Sequence, residues 1–287
     1  MTTATGEPVA RRMPVRLRRM FRSPHFVLGA GLVLILVVVA VFAPYLAPHD
    51  PYFQNYGAVL QPVGTAGHML GTDQFGRDVL SRVIFGTRIS LTVGVTSVAL
   101  GLLVGVLLGL LAGYFRRLDR PIMMIVDVLI AFPGILLAIA IVAALGPGLE
   151  NVILAVAFFS VPTFARITRA SVLAVREEEY VAAAVALGSP TRRILLGSIL
   201  PNIVSPILIY ASLRLATSIL TAATLSFLGL GAQPPTAEWG AMINDGRTYL
   251  YSARYLSIVP GIAIFVSVLA FNLLGDGLRD VLDPKTK

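Results

Sequence analysis

The chain has 287 residues, of which 56% are hydrophobic and 13% charged, with a net charge of +8 and no cysteine. A soluble domain averages about 25% charged residues, so this composition excludes an ordinary water-facing globule and makes lipid the natural solvent for the surplus apolar surface. Lack of Cys excludes disulfides, thiolate nucleophiles and Cys-ligated metals, and the basic residues lie between apolar runs rather than in an aromatic-studded basic domain, which excludes a nucleic-acid partner.

A helix crosses the bilayer core with about 20 apolar residues, and six stretches meet that length. Residues 1–26 are a basic cytoplasmic leader with Arg11, Arg12, Arg16, Arg18, Arg19 and Arg22. Residues 27–46 form the first span. Its apolar run is too long for a signal-peptide core and lacks a small-residue cleavage site, so it reads as a retained helix. An outward segment, 47–88, opens with Pro48, Pro51 and Pro62 as irregular chain. Within it, 73–88 carries Val79, Val83 and Ile84 at helical spacing, which predicts an amphipathic helix on the outer face. Its charges Asp73, Arg77, Asp78 and Arg82 make either a lid over span ends or a docking surface for an external binding protein.

The second span, 89–115, holds Gly101, Gly105, Gly109 and Gly113 at four-residue spacing. This places them on one ridge where another helix backbone approaches closely. The third, 122–145, contains Asp127. That residue lies about 9 Å past Pro121 at 1.5 Å per residue and is expected in a structural ion pair with Arg116, Arg117 or Arg120. The fourth, 146–165, is the weakest, with Glu150 and Pro162 near its ends. The fifth, 203–230, carries Arg214 roughly 16 Å into its helix, near mid-bilayer, where a cation lines an aqueous transport path or pairs across a subunit interface. A short outward segment, 231–255, precedes the sixth span, 256–275, and a cytoplasmic tail, 277–287, ends the chain.

Basic residues orient the protein. The leader, Arg116, Arg117, Arg120, Arg166, Arg169, Arg176, Arg192, Arg193, Arg279, Lys285 and Lys287 fall on one side; only Arg77, Arg82, Arg88, Arg247 and Arg254 fall on the other. Both termini are therefore expected in the cytoplasm. No energy-coupling element is present in the sequence. A GxxxxGK[ST] phosphate loop is impossible because no Lys precedes position 285, and no series of acids runs down the spans. His25, His49 and His68 have no metal-like spacing and are expected as solvated or capping residues, so no metal site is expected.

The longest inward connection, within 169–201, reads EEEYVAAAVALGSPTRRILLGSILPN from Glu177. Three Glu suit a helix N-terminus, Gly188 a helix stop, and Ser189 with Pro190 the cap and first turn of a second helix. Ala182, Ala183, Ala184 and Ala186 make the first helix slim and suited to another protein's groove.

This segment resembles the ATPase-docking loop of ABC-importer permeases, whose pattern is Glu-Ala-Ala, three residues, Gly, nine residues, then Ile-x-Leu-Pro. Ala183, Ala184, Gly188, Leu200 and Pro201 match, while Ala182 and Ser198 depart from it. The stretches LGTDQFGRDVLSRVIFGTRISLTVG, LSFLGLGAQPPTAEWGAMINDGR and GDGLRDVLDP look like the second permease subunit of dipeptide and oligopeptide importers, although Ala222 stands where that family commonly has Glu. The resemblance implies an all-α membrane protein of the type I ABC-importer permease fold, with a five-helix core at 89–276. It implies docking through Glu179, Tyr180, Ala182, Ala183, Ala184, Leu187, Gly188, Leu200 and Pro201, and a bacterial cytoplasmic-membrane location. It also implies a homologous second permease, two ATPase subunits that hold ATP and Mg2+, and an extracytoplasmic peptide-binding protein; this chain itself is expected to hold no cofactor and to be non-catalytic. The same branch handles nickel chelates and glutathione, so the solute stays open. A self-sufficient carrier or channel would need six spans and Arg214 but no hook, and a membrane scaffold would use the glycine ridge but no docking loop.

Overall fold

The computed structural model describes residues 23–282. The leader arginines Arg11 to Arg22 and the tail lysines Lys285 and Lys287 lie outside the described residues. The described chain is helical, with only isolated bridges pairing Thr65 with His68 and Thr72 with Asp78. Its main helices are α1 (Pro24–Val41), α2 (Val79–Tyr114), α3 (Arg116–Ala131), α4 (Gly134–Leu145), α5 (Leu149–Arg176), α6 (Glu179–Ala186), α7 (Leu200–Phe227), α8 (Trp239–Gly246) and α9 (Tyr255–Leu282). Five of these, α1, α2, α5, α7 and α9, are long and apolar enough to cross a membrane.

The third expected span is broken. α3 and α4 meet at an angle of 92°, and counting the pair as one crossing gives six. Pro133 supplies no backbone N–H, and its ring drives the preceding residue out of the helical region; Phe132 accordingly sits at φ −84° and ψ 136°. The bend is seated on α5, because a Cβ on Gly134 would run into the ring of Phe159.

The expected outer-face helix is also different. Residues 79–114 form one uninterrupted helix of 36 residues, so the amphipathic stretch is the first turns of the second span. Asp78 caps it by accepting from the Ser81 backbone N–H at 2.8 Å. Residues 73–77 form a turn in which Asp73 Oδ1 accepts from the backbone N–H groups of Phe75 and Arg77.

Asp73, Arg77, Asp78 and Arg82 are 5%, 2%, 2% and 3% exposed. They offer no surface to an external protein, which corrects the docking reading for these four. Arg77 Nε meets Asp73 Oδ2 at 2.6 Å, and Arg82 Nε lies 3.5 Å from the same oxygen. Arg82 also donates to the carbonyls of Pro51 and Pro235. The charges therefore fasten both connecting segments to the head of α2. Nearby, Glu238 caps α8 by accepting from the Ala241 N–H, and burial pushes its carboxyl above the usual range.

Three apolar cores fill the bundle. At the α8 end, Trp239 packs among Val79, Leu91, Ile219 and Leu256, and its Nε1 donates to the Val83 carbonyl. A second core, beside the first, joins Val93, Val142, Val152, Val156, Ala222 and Leu225. At the opposite end, Leu110, Val172, Val181, Ile194, Ile199, Ile203 and Ile207 form a third. That last core includes a residue of the short helix α6.

Candidate coupling and transport site

α6 begins at Glu179 and ends in a Schellman turn, with the Gly188 N–H donating to the Val185 carbonyl and the Ser189 N–H to that of Ala184. Gly188 has φ +72°, a conformation costing a residue with a Cβ roughly 1–2 kcal/mol. Ser189 is not the cap expected of the second helix. Pro190 takes that position without a side-chain bond.

The return path is a π turn, Ile194–Ile199, in which the Leu200 N–H donates five residues back to Leu195. Pro201 explains the widening: it lacks the N–H that an α-helix would aim at the Gly197 carbonyl, and its ring crowds that carbonyl. Only Val181 of α6 is buried, locked into the third core. Glu179, Ala182 and Ala183 are exposed, Tyr180 is 46% exposed, and Leu187 at the corner 86%. The hook thus has an inward anchor and an outward apolar face.

The ends of the spans are tied to it. Arg176, at the last turn of α5, donates to the carbonyls of Gly113 and Tyr114, satisfying backbone acceptors that the end of α2 leaves open. α2 and α5 make the largest helix–helix interface among the described residues, and the four-glycine ridge lies in it. A Cβ on Gly101 would stand 2.7 Å from Ser160 Cβ, on Gly105 2.8 Å from the Val161 carbonyl, on Gly109 2.6 Å from that of Ala165, and on Gly113 2.6 Å from Val172 Cβ. Glycine is what lets these two backbones approach.

Asp127 pairs with Arg166 of α5, Nη2 to Oδ1 at 2.6 Å. The expected partners Arg116, Arg117 and Arg120 are not the ones used, because α3 packs against α5 and presents Asp127 to that helix. A second clamp of the same kind, Arg169 Nη2 donating to Asp119 Oδ2 at 2.7 Å, went unforeseen, as its partners are 50 residues apart.

Arg214 lies inside α7. Its Nε donates to Ser160 Oγ at 3.1 Å, and its guanidinium carbon sits 4.4 Å from the ring centre of Phe159. No carboxylate lies within ion-pair distance among the described residues. Below it, α5, α7 and α9 border an open recess of about 650 Å³ lined by Pro201, Ser205, Tyr210 and Arg279. It reaches the residues from which the hook returns.

His49 and His68, expected as unrelated solvated residues, come together on Asp78. Their separation in sequence hid this, since 18 residues part His49 from His68 and nine more part His68 from Asp78.

Residues 101–287 match the family model for the binding-protein-dependent transport system inner membrane component. The chain belongs to this family. Residues 15–62 match a second model, the N-terminal TM domain of oligopeptide transport permease C. Among similar proteins, the glutathione transport system permease protein GsiD of Pectobacterium atrosepticum is 50% identical over 273 residues, covering 94% of this chain and 90% of the relative. GsiD of Escherichia coli is 52% identical over 277 residues, covering 94% and 89%. Two solved structures share the fold. The MetNI methionine ABC transporter, in inward-facing conformations, matches with TM-score 0.59 at 20% identity over 70% of this chain and 97% of that one. An amino acid ABC transporter gives TM-score 0.54 at 19% identity over 69% and 92%. This member of the family is therefore a multi-pass ABC-importer permease of the dipeptide and oligopeptide type.

Proposed function

We propose that this permease is the second membrane subunit of an ATP-driven importer for short peptides or a peptide-like solute such as glutathione. The observation that carries the reading is the hook: its exposed Tyr180 and Leu187 face outward, while Val181 shares a core with three spans. Such a part transmits force from a partner bound at its outer face to the helices behind it. The partners are two cytoplasmic ATPase subunits, which hold ATP and Mg2+ and carry out hydrolysis, a homologous second permease and an extracytoplasmic peptide-binding protein. Docking uses Glu179, Tyr180, Ala182, Ala183, Ala184, Leu187, Gly188, Leu200 and Pro201. The basic residues between spans set both termini and the hook in the cytoplasm of a bacterial inner membrane. The glutathione permeases similar to this chain favour a solute with a peptide backbone and free carboxylates.

The chain itself is non-catalytic. Purified alone in nanodiscs it neither binds nor hydrolyses ATP; hydrolysis by the isolated chain above that of empty nanodiscs overturns the subunit reading.

Arg214 serves the path. A cation without a carboxylate partner among the described residues, held at mid-helix by Ser160 and Phe159, meets a passing carboxylate with a charge-assisted hydrogen bond worth about 1.5–3 kcal/mol. Arg214→Leu is expected to lower uptake of a peptide with a free C-terminal carboxylate by roughly tenfold or more, and uptake of its C-amidated form much less. Wild-type uptake of both by a normally assembled variant removes Arg214 from the path.

A further inference from the structure

We infer that His49, His68 and Asp78 form a binding site for a borderline divalent metal ion of the zinc type, at the end of the bundle opposite the hook. His68 Nδ1 lies 2.9 Å from Asp78 Oδ1 and His49 Nδ1 3.8 Å from Asp78 Oδ2. The two imidazole rings stand 4.9 Å apart, centre to centre, inclined by 32°. One ligand atom from each of the three residues falls within 4.8 Å of the others, so a single ion at about 2.0–2.2 Å from each needs only small side-chain rotations.

The set is held from behind. Asp78 Oδ2 accepts from both the backbone N–H and the hydroxyl of Ser81, and the same hydroxyl oxygen accepts from the His49 backbone N–H. The carboxylate is thus fixed in orientation and His49 is tethered to the residue that fixes it, the arrangement that outer-shell hydrogen bonds give metal ligands. The Asp78 side chain is 1% exposed, His68 17% and His49 40%, so the site opens to solvent on the His49 side, where water completes a four-coordinate shell. Two imidazoles and one carboxylate suit zinc and its neighbours; calcium and magnesium prefer shells of oxygen. A bound ion joins the chain just beyond α1 to the head of α2 and closes the intervening loop.

The test uses the full chain with a tag free of histidine, in nanodiscs. The chain has three His and no Cys, which leaves little competing background. Equilibrium dialysis against Zn2+ is expected to give one ion per chain. His49→Gln and His68→Gln each weaken binding by roughly 100-fold, at or beyond the upper end of what loss of a supporting residue costs, and His25→Gln leaves it unchanged. Co2+ in place of Zn2+ gives the visible bands of a four-coordinate nitrogen and oxygen site, lost in the same two variants. His68→Gln retains a group able to hydrogen-bond Asp78, and His49 is exposed enough to change without unfolding. Absence of stoichiometric binding, or equal affinity in the His49→Gln and wild-type chains, overturns the site.

Discussion

Gly188→Glu is expected to leave the permease inserted and folded while abolishing ATPase stimulation by the assembled transporter. The corner tolerates the side chain sterically, since nothing lies within 4 Å of where its Cβ would stand. The backbone at φ +72° adds roughly 1–2 kcal/mol of strain, which the short helix withstands because Val181 anchors it. What changes is the docking face, where a carboxylate now projects beside Leu187. Burying an unpaired charge under a partner costs about 3–5 kcal/mol, or a roughly 100-fold or greater loss of affinity. Gly188→Ala separates the two effects, because it carries the strain without the charge and is expected to retain most stimulation. Substrate-stimulated hydrolysis in proteoliposomes, compared at equal permease content, reads both. Full stimulation by the Glu variant would place the ATPase contact somewhere other than the hook.

Gly105→Leu is expected to have the largest effect on assembly. Its Cβ would stand 2.8 Å from the Val161 carbonyl and against Phe164, so α2 and α5 must part at this point of their shared ridge. Overpacking of this kind costs about 1–3 kcal/mol, sometimes more, and here the obstacle is backbone rather than a yielding side chain. The variant is expected to elute as aggregate from detergent and to unfold at lower temperature. Gly31→Leu, in α1, meets nothing within 4 Å and is expected to behave as wild type. Equal thermal stability of the two would mean that the ridge is not the constraint it looks to be.

What the sequence made legible was local. Runs of uncharged residues disclose spans, and Gly101 to Gly113 announce a close helix contact because the spacing alone sets one face. Gly188 marks the hook's corner for the same reason, since a left-handed residue is needed at one position. The bend at Phe132 was not legible, because proline within an apolar run either kinks or is absorbed according to what packs on it, and the decisive neighbour, Phe159, is on another helix. The union of 79–88 with the second span was masked by its charges, which looked like a solvent face but are paired with one another. Asp127 disclosed that it needs a partner without disclosing which, and the assembly of His49, His68 and Asp78 depends wholly on how two irregular segments fold back. Long-range pairings carry no short-range signature in a single sequence.

The α2–α5 interface has a consequence for biosynthesis. Roughly 60 residues of chain separate Gly101 from Ser160, which it faces. At about 5–20 residues per second, α2 waits about 3–12 s after its own synthesis before its principal partner exists. During that interval the backbone along its glycine ridge is covered by lipid tails instead of by α5. This close contact is thus one that cannot form until the chain has been extended by a further loop and a bent helix pair.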